Sequence, residues 1–249
     1  MIAIAVGLSL AAAAFHGTWN VLVKLSGDPI ATFRRVTLTT ALVATIPLLP
    51  AWLLLGRPGL DPAAAGLALL SSVLETAYLW LLSTAYRRGE LSAVYPIARG
   101  SAPLLSVVVG LAILSERLTP AQVIGVVLLL VGILAVTVSQ ASGRATLPAL
   151  LTGVAIAAYT SVDRVGVRLS TPWLYGWLLF TLMAIELPLT IWVASRLGLY
   201  RIPDSVHGPT WGQVAVAVWG VWRLRETRRA SMKVSGAVAT LVGVALLAL

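Results

Sequence analysis

The chain has 249 residues, 59% of them hydrophobic and 11% charged, with a formal net charge of +9 and no cysteine. That balance excludes an ordinary soluble domain and points to an integral membrane protein, while the missing cysteines exclude disulfides, thiolate metal sites and cysteine nucleophiles. Loop Lys and Arg facing anionic lipid account for the positive charge, so the lipid bilayer is the expected partner and nucleic acid is not.

A spanning helix needs about 20 mainly apolar residues. Such windows occur at Ile2–Val23, Val36–Leu55, Ala63–Tyr86, Leu91–Leu114, Ala121–Ser139, Leu147–Val167, Trp173–Ala194 and Met232–Leu249. They are too long and too poor in period-2 alternation for an outer-membrane barrel, so the predicted fold is all-α, a polytopic transmembrane helical bundle. Ala11–Ala14 supplies small residues near a plausible cleavage point, but no basic stretch precedes Ile2, and the first window is expected to be a retained helix.

The first helix carries a polar stripe, His16, Asn20 and Lys24, with Trp19 beside it. Lys24 is expected to snorkel to the interface. His16 titrates near neutrality and suits proton coupling, or a hydrogen bond across helices. In the third helix Glu75 shares a face with Ser71, Tyr78 and Tyr86. It is the natural counter-ion for Arg99, or a proton carrier if it faces a cavity alone.

The fourth helix places Ser92, Tyr95, Arg99 and Ser106 on one face, with Pro96 and Pro103 bracketing the arginine. Local unwinding at those prolines would expose backbone carbonyls. An arginine at that depth costs about 2.5–3.5 kcal/mol on insertion scales, so it needs a partner: an anionic solute in a central cavity, or a buried ion pair. Ser115–Pro120 forms the following corner, where Thr119, Pro120 and Gln122 have the form of a capping box. Gly125 and Gly132 then keep one helix face small for close packing.

In the sixth helix Tyr159 and Asp163 are four residues apart, and Asp163 takes the place that Asn20 holds in the first; Arg164 points elsewhere. Glu186, next to Pro188 in the seventh helix, is a further acid at depth with no partner evident from sequence. Trp52, Trp173, Trp192 and Trp211 read as interfacial anchors, and Trp19 and Trp80 as residues near a cavity mouth. After Ala194 a polar loop leads to Thr210–Trp222, an apolar run of 13 residues that reaches roughly 20 Å as a helix, short of the ~30 Å hydrocarbon core. The basic cluster Arg223, Arg225, Arg228, Arg229 and Lys233 marks a membrane surface.

The corner and helix Glu116…Gly125…Gly132 recur as Glu226…Gly236…Gly243, with the glycines seven apart in both. A first unit of five helices, residues 1–140, would force the second, residues 145–249, to insert upside down as an inverted repeat. The second unit is shorter and incomplete between about residues 210 and 230.

On these residues the chain resembles the EamA-type drug/metabolite transporter family: Tyr95-Pro96 to Pro103, the corner Ser115-Glu116-Arg117-Leu118-Thr119, the helix Gln122…Gly125…Gly132, and the opening His16…Trp19-Asn20…Lys24. The resemblance covers residues 1–195 and resumes near 222–249. It implies two tandem five-helix units, ten helices in all, against the eight or nine that this sequence supplies. It also implies a multi-pass protein of the plasma (bacterial inner) membrane that transports a small-molecule solute as a secondary transporter, an exporter, by alternating access, with room for a homodimer.

The candidate substrate-binding or cavity-lining residues are His16, Asn20, Glu75, Tyr95, Arg99, Tyr159 and Asp163, with Arg99 orienting an anionic group and H⁺ as coupling ion. No Ser/His/Asp trio, Walker motif or His-rich metal set is present, so neither catalysis, cofactor nor metal is expected. The alternative to a transporter is a non-transporting remnant or a subunit whose partner supplies the missing helix. Orientation is open: odd-numbered loops hold Lys24, Arg34, Arg35, Arg87, Arg88 and Arg144, against Arg57, Arg117, Arg164 and Arg168 in the even ones. That bias favours both termini outside, whereas the resemblance implies both inside.

Overall fold

The computed structural model describes residues 17–113, 118–139 and 143–201. His16, Glu116-Arg117 and everything after Arg201, including Thr210–Trp222, Trp211, the second corner at Glu226 and the window Met232–Leu249, lie outside the described residues. Within them the chain forms seven helices and no strand: α1 (17–25), α2 (Pro29–Leu54), α3 (Pro62–Arg88), α4 (Leu91–Ile113), α5 (Pro120–Ser139), α6 (Thr146–Leu169) and α7 (Pro172–Arg196). α2, α3, α6 and α7 are each long and apolar enough to cross a membrane.

Proline placement explains most helix starts. α2, α3, α5 and α7 begin with Pro behind Asp28, Asp61, Thr119 and Thr171. At the first helical position the missing N–H of proline leaves nothing unsatisfied, and its fixed φ already suits a helix. Asp61 Oδ1 accepts from Ala63 N at 2.7 Å and Ala64 N at 3.3 Å; Asp28 Oδ1 accepts from Ile30 N at 3.2 Å and Ala31 N at 3.4 Å. The capping box read from sequence is present: Thr119 N donates to Gln122 Oε1 at 2.9 Å and Gln122 N to Thr119 Oγ1 at 3.3 Å.

Two local expectations are corrected. α2 starts at Pro29, a full seven residues before the apolar window at Val36, because the Asp28 cap draws Arg34 and Arg35 into the helix. α4 is continuously helical through Pro96 and Pro103, so no unwound segment surrounds Arg99.

The distribution of polarity is that of a bundle in lipid. Leu42, Ile46 and Leu54 are 71%, 76% and 84% exposed, while Ser71, Ser72, Ser83 and Thr152 are completely buried. Lipid tails are as apolar as leucine, so helices in a membrane associate through close packing and interhelical hydrogen bonds. α3 supplies most of both. It packs on α2, α4, α6 and α7, most extensively on α6, and α6 packs in turn on α4. Gly125, Leu129 and Gly132 form the buried face of α5, as the spacing predicts.

Gly153 sets the distance between α4 and α6. A Cβ there would sit 1.8 Å from Ser101 Oγ, 2.9 Å from Ser101 Cβ and 3.0 Å from the Ala98 carbonyl oxygen. Rotating Ser101 relieves only the first of these, so Gly153→Ala forces the two backbones apart. It should destabilise the detergent-solubilised protein by about 1–3 kcal/mol. Gly176→Ala, where nothing lies within 4 Å, should be neutral or slightly stabilising. Thermal unfolding of the two variants side by side checks the packing.

Candidate functional site

A polar seam runs through the bundle along α3. At one end Tyr175 Oη, from α7, donates to Asp163 Oδ1 of α6 at 2.8 Å. Gly166, one turn after Asp163, makes this contact sterically possible: a Cβ there would lie 2.3 Å from Tyr175 Cε2. Glu75 and Asp163 lie within reach of each other's charge, and Tyr159 lies within reach of Glu75, Asp163 and Arg99. The rings of Tyr78 and Tyr159 meet edge to face, centroids 5.7 Å apart, and Arg99 Nη2 donates to Tyr78 Oη at 3.4 Å.

The seam continues toward the C-terminal end of α3. Tyr86 is influenced by Tyr78, Arg99 and Tyr95, and its Oη donates to Asn20 Oδ1 of α1 at 2.5 Å. Of the residues singled out by sequence, Arg99 and Tyr159 both meet Tyr78, Asp163 is tied to Tyr175 and Asn20 to Tyr86, while Glu75 and Tyr95 lie within electrostatic range of these groups; His16 lies outside the described residues.

Tyr78, Tyr86 and Tyr175 make these contacts, and the sequence reading gave none of them a place in the site. Tyr78 and Tyr86 share the Glu75 face of α3, which was the available signal. Tyr175 had none, because its partner is set by the α6–α7 turn rather than by spacing within a helix.

One expected pairing is corrected, and one contact is new. Among the described residues no ion pair joins Glu75 to Arg99; the hairpin neighbours α3 and α4 meet through Arg99 and Tyr78, and Glu75 is turned toward α6. Lys24 reaches the end of α3 and is held there by hydrogen bonds. Its Nζ donates to the carbonyl oxygens of Tyr86 and, at 2.6 Å, of Gly89. These are carbonyls at the C-terminus of α3, where a cation satisfies orphan acceptors and complements the helix dipole.

A second polar contact links α3 to α7. Glu186 accepts from Ser72 Oγ at 2.7 Å and from Thr76 Oγ1 at 3.2 Å, and one turn further on Trp80 Nε1 donates to Thr190 Oγ1 at 3.0 Å. Ser72, Thr76 and Trp80 on α3, and Glu186 and Thr190 on α7, are each spaced by four, so two matched stripes identify the partner that Glu186 lacked on paper.

Beyond α7, Tyr200 packs edge to face on Trp80, centroids 5.6 Å apart, and donates to Asp28 Oδ2. Burial and that carboxylate hold the Tyr200 phenol above its ordinary value, so it remains a neutral donor. Arg57 over Trp52 and Arg196 over Trp192 place basic groups beside the expected interfacial tryptophans.

The seam presents a guanidinium, two carboxylates, an amide and phenols. Among the described residues no group of His, Asp and Glu has the geometry of a metal site. The EamA-like transporter family model matches residues 3–138, more than half of the chain. The protein belongs to the EamA-like transporter family. No curated protein matches the chain. Membership makes it a multi-pass membrane protein of the drug/metabolite transporter type.

If Gly166 exists to seat Tyr175 against Asp163, the two are energetically coupled. Tyr175→Phe should cost about 1 kcal/mol in an otherwise native background, the typical value of an interhelical hydrogen bond in a membrane bundle. In a Gly166→Ala background, where the ring is already displaced, it should cost almost nothing. A double-mutant cycle read by chemical unfolding in detergent measures the coupling.

Proposed function

We propose that the protein is a secondary transporter, an exporter, that moves a small metabolite by alternating access between two inverted units, residues 1–140 and 145–249. The seam formed by Glu75, Tyr78, Tyr95, Arg99, Tyr159 and Asp163 is its solute path. The observation that carries this reading is the hydrogen bond of Arg99 to Tyr78, whose ring packs on Tyr159, with Glu75 and Asp163 in electrostatic range of Tyr159, inside a bundle whose outer surface is apolar. Ionisable groups inside a membrane are costly and, in transporters, face the solute or ion pathway.

In this reading Arg99 holds an anionic group of the solute, and Asn20 extends the path toward α1, with His16 a candidate from sequence alone. Glu75 and Asp163, the two carboxylates that meet in the seam, offer places for a coupling proton. The membrane is the plasma membrane, and a homodimer is compatible with the broad apolar outer face of α2.

Arg99→Ala, expressed at wild-type level and reconstituted in proteoliposomes, should reduce solute flux by at least about tenfold, the effect of removing one charge-assisted contact of about 1.5–3 kcal/mol. Arg164→Ala, at an exposed arginine on α6, should leave flux unchanged. Equal flux in wild type and Arg99→Ala would overturn the assignment. The second reading, a subunit that needs a partner to complete its second unit, rests on the shortness of Thr210–Trp222. It predicts no flux from the chain alone and flux once the partner is supplied.

A further inference from the structure

At the C-terminal ends of α3 and α7 lies a cavity of about 450 Å³ that none of the seam residues lines. It is lined by the basic Arg87 and Arg88, the hydroxyl-bearing Thr84 and Thr190, Trp80, and the apolar Ala194 and Leu199. Both arginines are exposed, and among the described residues neither has a carboxylate partner: Arg87 instead lies over the ring of Tyr200, 5.9 Å from its centroid. The acid nearest to that ring, Asp28, is occupied by Tyr200 Oη and by the first N–H groups of α2.

The hydrogen-bond state of the walls restricts what fits. Thr84 Oγ1 already donates to the Trp80 carbonyl at 2.8 Å, and Thr190 Oγ1 to the Leu187 carbonyl at 2.9 Å. Each hydroxyl therefore has its proton committed; Thr190 Oγ1 also accepts from Trp80 Nε1 at 3.0 Å, so one of its two lone pairs is left for a further donor. The cavity presents two guanidinium groups for an anion, two hydroxyl oxygens for a donor, and an apolar side toward the bundle surface. It also sits at the end of a spanning helix, where an aromatic and basic belt meets lipid headgroups.

We propose that this cavity is a binding site for a phosphate ester bearing hydroxyl groups, supplied by the headgroup of an anionic glycerophospholipid such as phosphatidylglycerol. The phosphate is held by Arg87 and Arg88 as planar, permanently charged donors. The glycerol hydroxyls donate to Thr84 and Thr190, and the start of the acyl chains lies along Ala194 and Leu199. A free phosphate ester would share the polar contacts without the apolar one. Neither the family assignment nor the transport reading bears on this site, so either can fail without the other.

The test is native mass spectrometry of the full-length protein in detergent, titrated with phosphatidylglycerol and phosphatidylcholine, with glycerol 3-phosphate and inorganic phosphate as competitors. Wild type should retain one phosphatidylglycerol in preference to phosphatidylcholine. Arg87→Gln/Arg88→Gln should weaken that retention by roughly thirtyfold, about fivefold for each interfacial cation removed. Arg164→Gln/Arg168→Gln, with the same change in net charge at exposed positions of the α6 C-terminal end, should retain it.

Because removal of two charges can disturb membrane insertion, Ala194→Phe supplies an independent arm: it fills the cavity without touching charge and should also abolish retention. Competition by glycerol 3-phosphate at millimolar concentration would support the phosphate contact. Binding of glycerol 3-phosphate without any retained lipid would keep the phosphate site and overturn its lipid source. Retention of phosphatidylglycerol by both the double arginine variant and Ala194→Phe at the wild-type level would overturn the proposal.

Discussion

Helix α3 carries Ser71, Ser72, Glu75, Thr76, Tyr78, Trp80, Ser83 and Tyr86, more polar surface than a helix facing lipid can hold, and the arrangement of its neighbours follows from that constraint. In hydrocarbon an unmet polar group costs several kcal/mol, while the apolar faces gain nothing from meeting one another. The helices that carry complementary groups therefore surround α3. α7 answers Ser72, Thr76 and Trp80 with Glu186 and Thr190; α4 answers Tyr78 with Arg99; α1 answers Tyr86 with Asn20. Lys24 of α1 then closes the exposed C-terminal carbonyls of the same helix. The small residues Gly153 and Gly166 let α6 approach α4 and Tyr175 closely enough for the arrangement to close.

How much of this was legible in the sequence depended on the range of the interaction. Local features read correctly: the Thr119/Gln122 capping box and the small face Gly125/Gly132 are each decided within one or two turns. Glu75, Arg99, Tyr159 and Asp163 stood out because they are polar groups at membrane depth whatever they touch. Their partners did not. Pairing Glu75 with Arg99 assumed that hairpin neighbours present these groups to one another, and the rotation of α3 is set instead by α6 and α7, distant in sequence. Lys24 reads as an interfacial cation and does reach a helix end, but nothing in its own helix shows which carbonyls lie beside it. The prolines of α4 suggested unwinding, yet a helix packed on both α5 and α6 keeps its path through them.

The separation of the two polar systems bears on function. Along α3, the face with Glu75 and Tyr78 looks toward α4 and α6 and gathers ionisable groups that meet loosely, through a 3.4 Å contact and across longer distances. The face with Ser72, Thr76 and Trp80 is matched group for group by α7. A fully satisfied network fixes two helices together, whereas a partly satisfied one leaves capacity for a further ligand. On that physical ground the α3–α7 contact is the more completely satisfied of the two, and the solute path proposed for this transporter lies on the side of α3 that faces α4 and α6.

The most direct test of that claim exploits the absence of native cysteines. Single cysteines placed at Tyr159 in the seam, at Thr76 in the matched α3–α7 contact and at Ile46 on the apolar outer face are exposed to a membrane-impermeant thiol reagent in intact proteoliposomes. The account predicts that Tyr159→Cys reacts, because water and solute reach the seam, while Thr76→Cys and Ile46→Cys do not. An unreactive Tyr159→Cys, in protein that retains its fold, together with a reactive Thr76→Cys would place the aqueous path between α3 and α7 and contradict it.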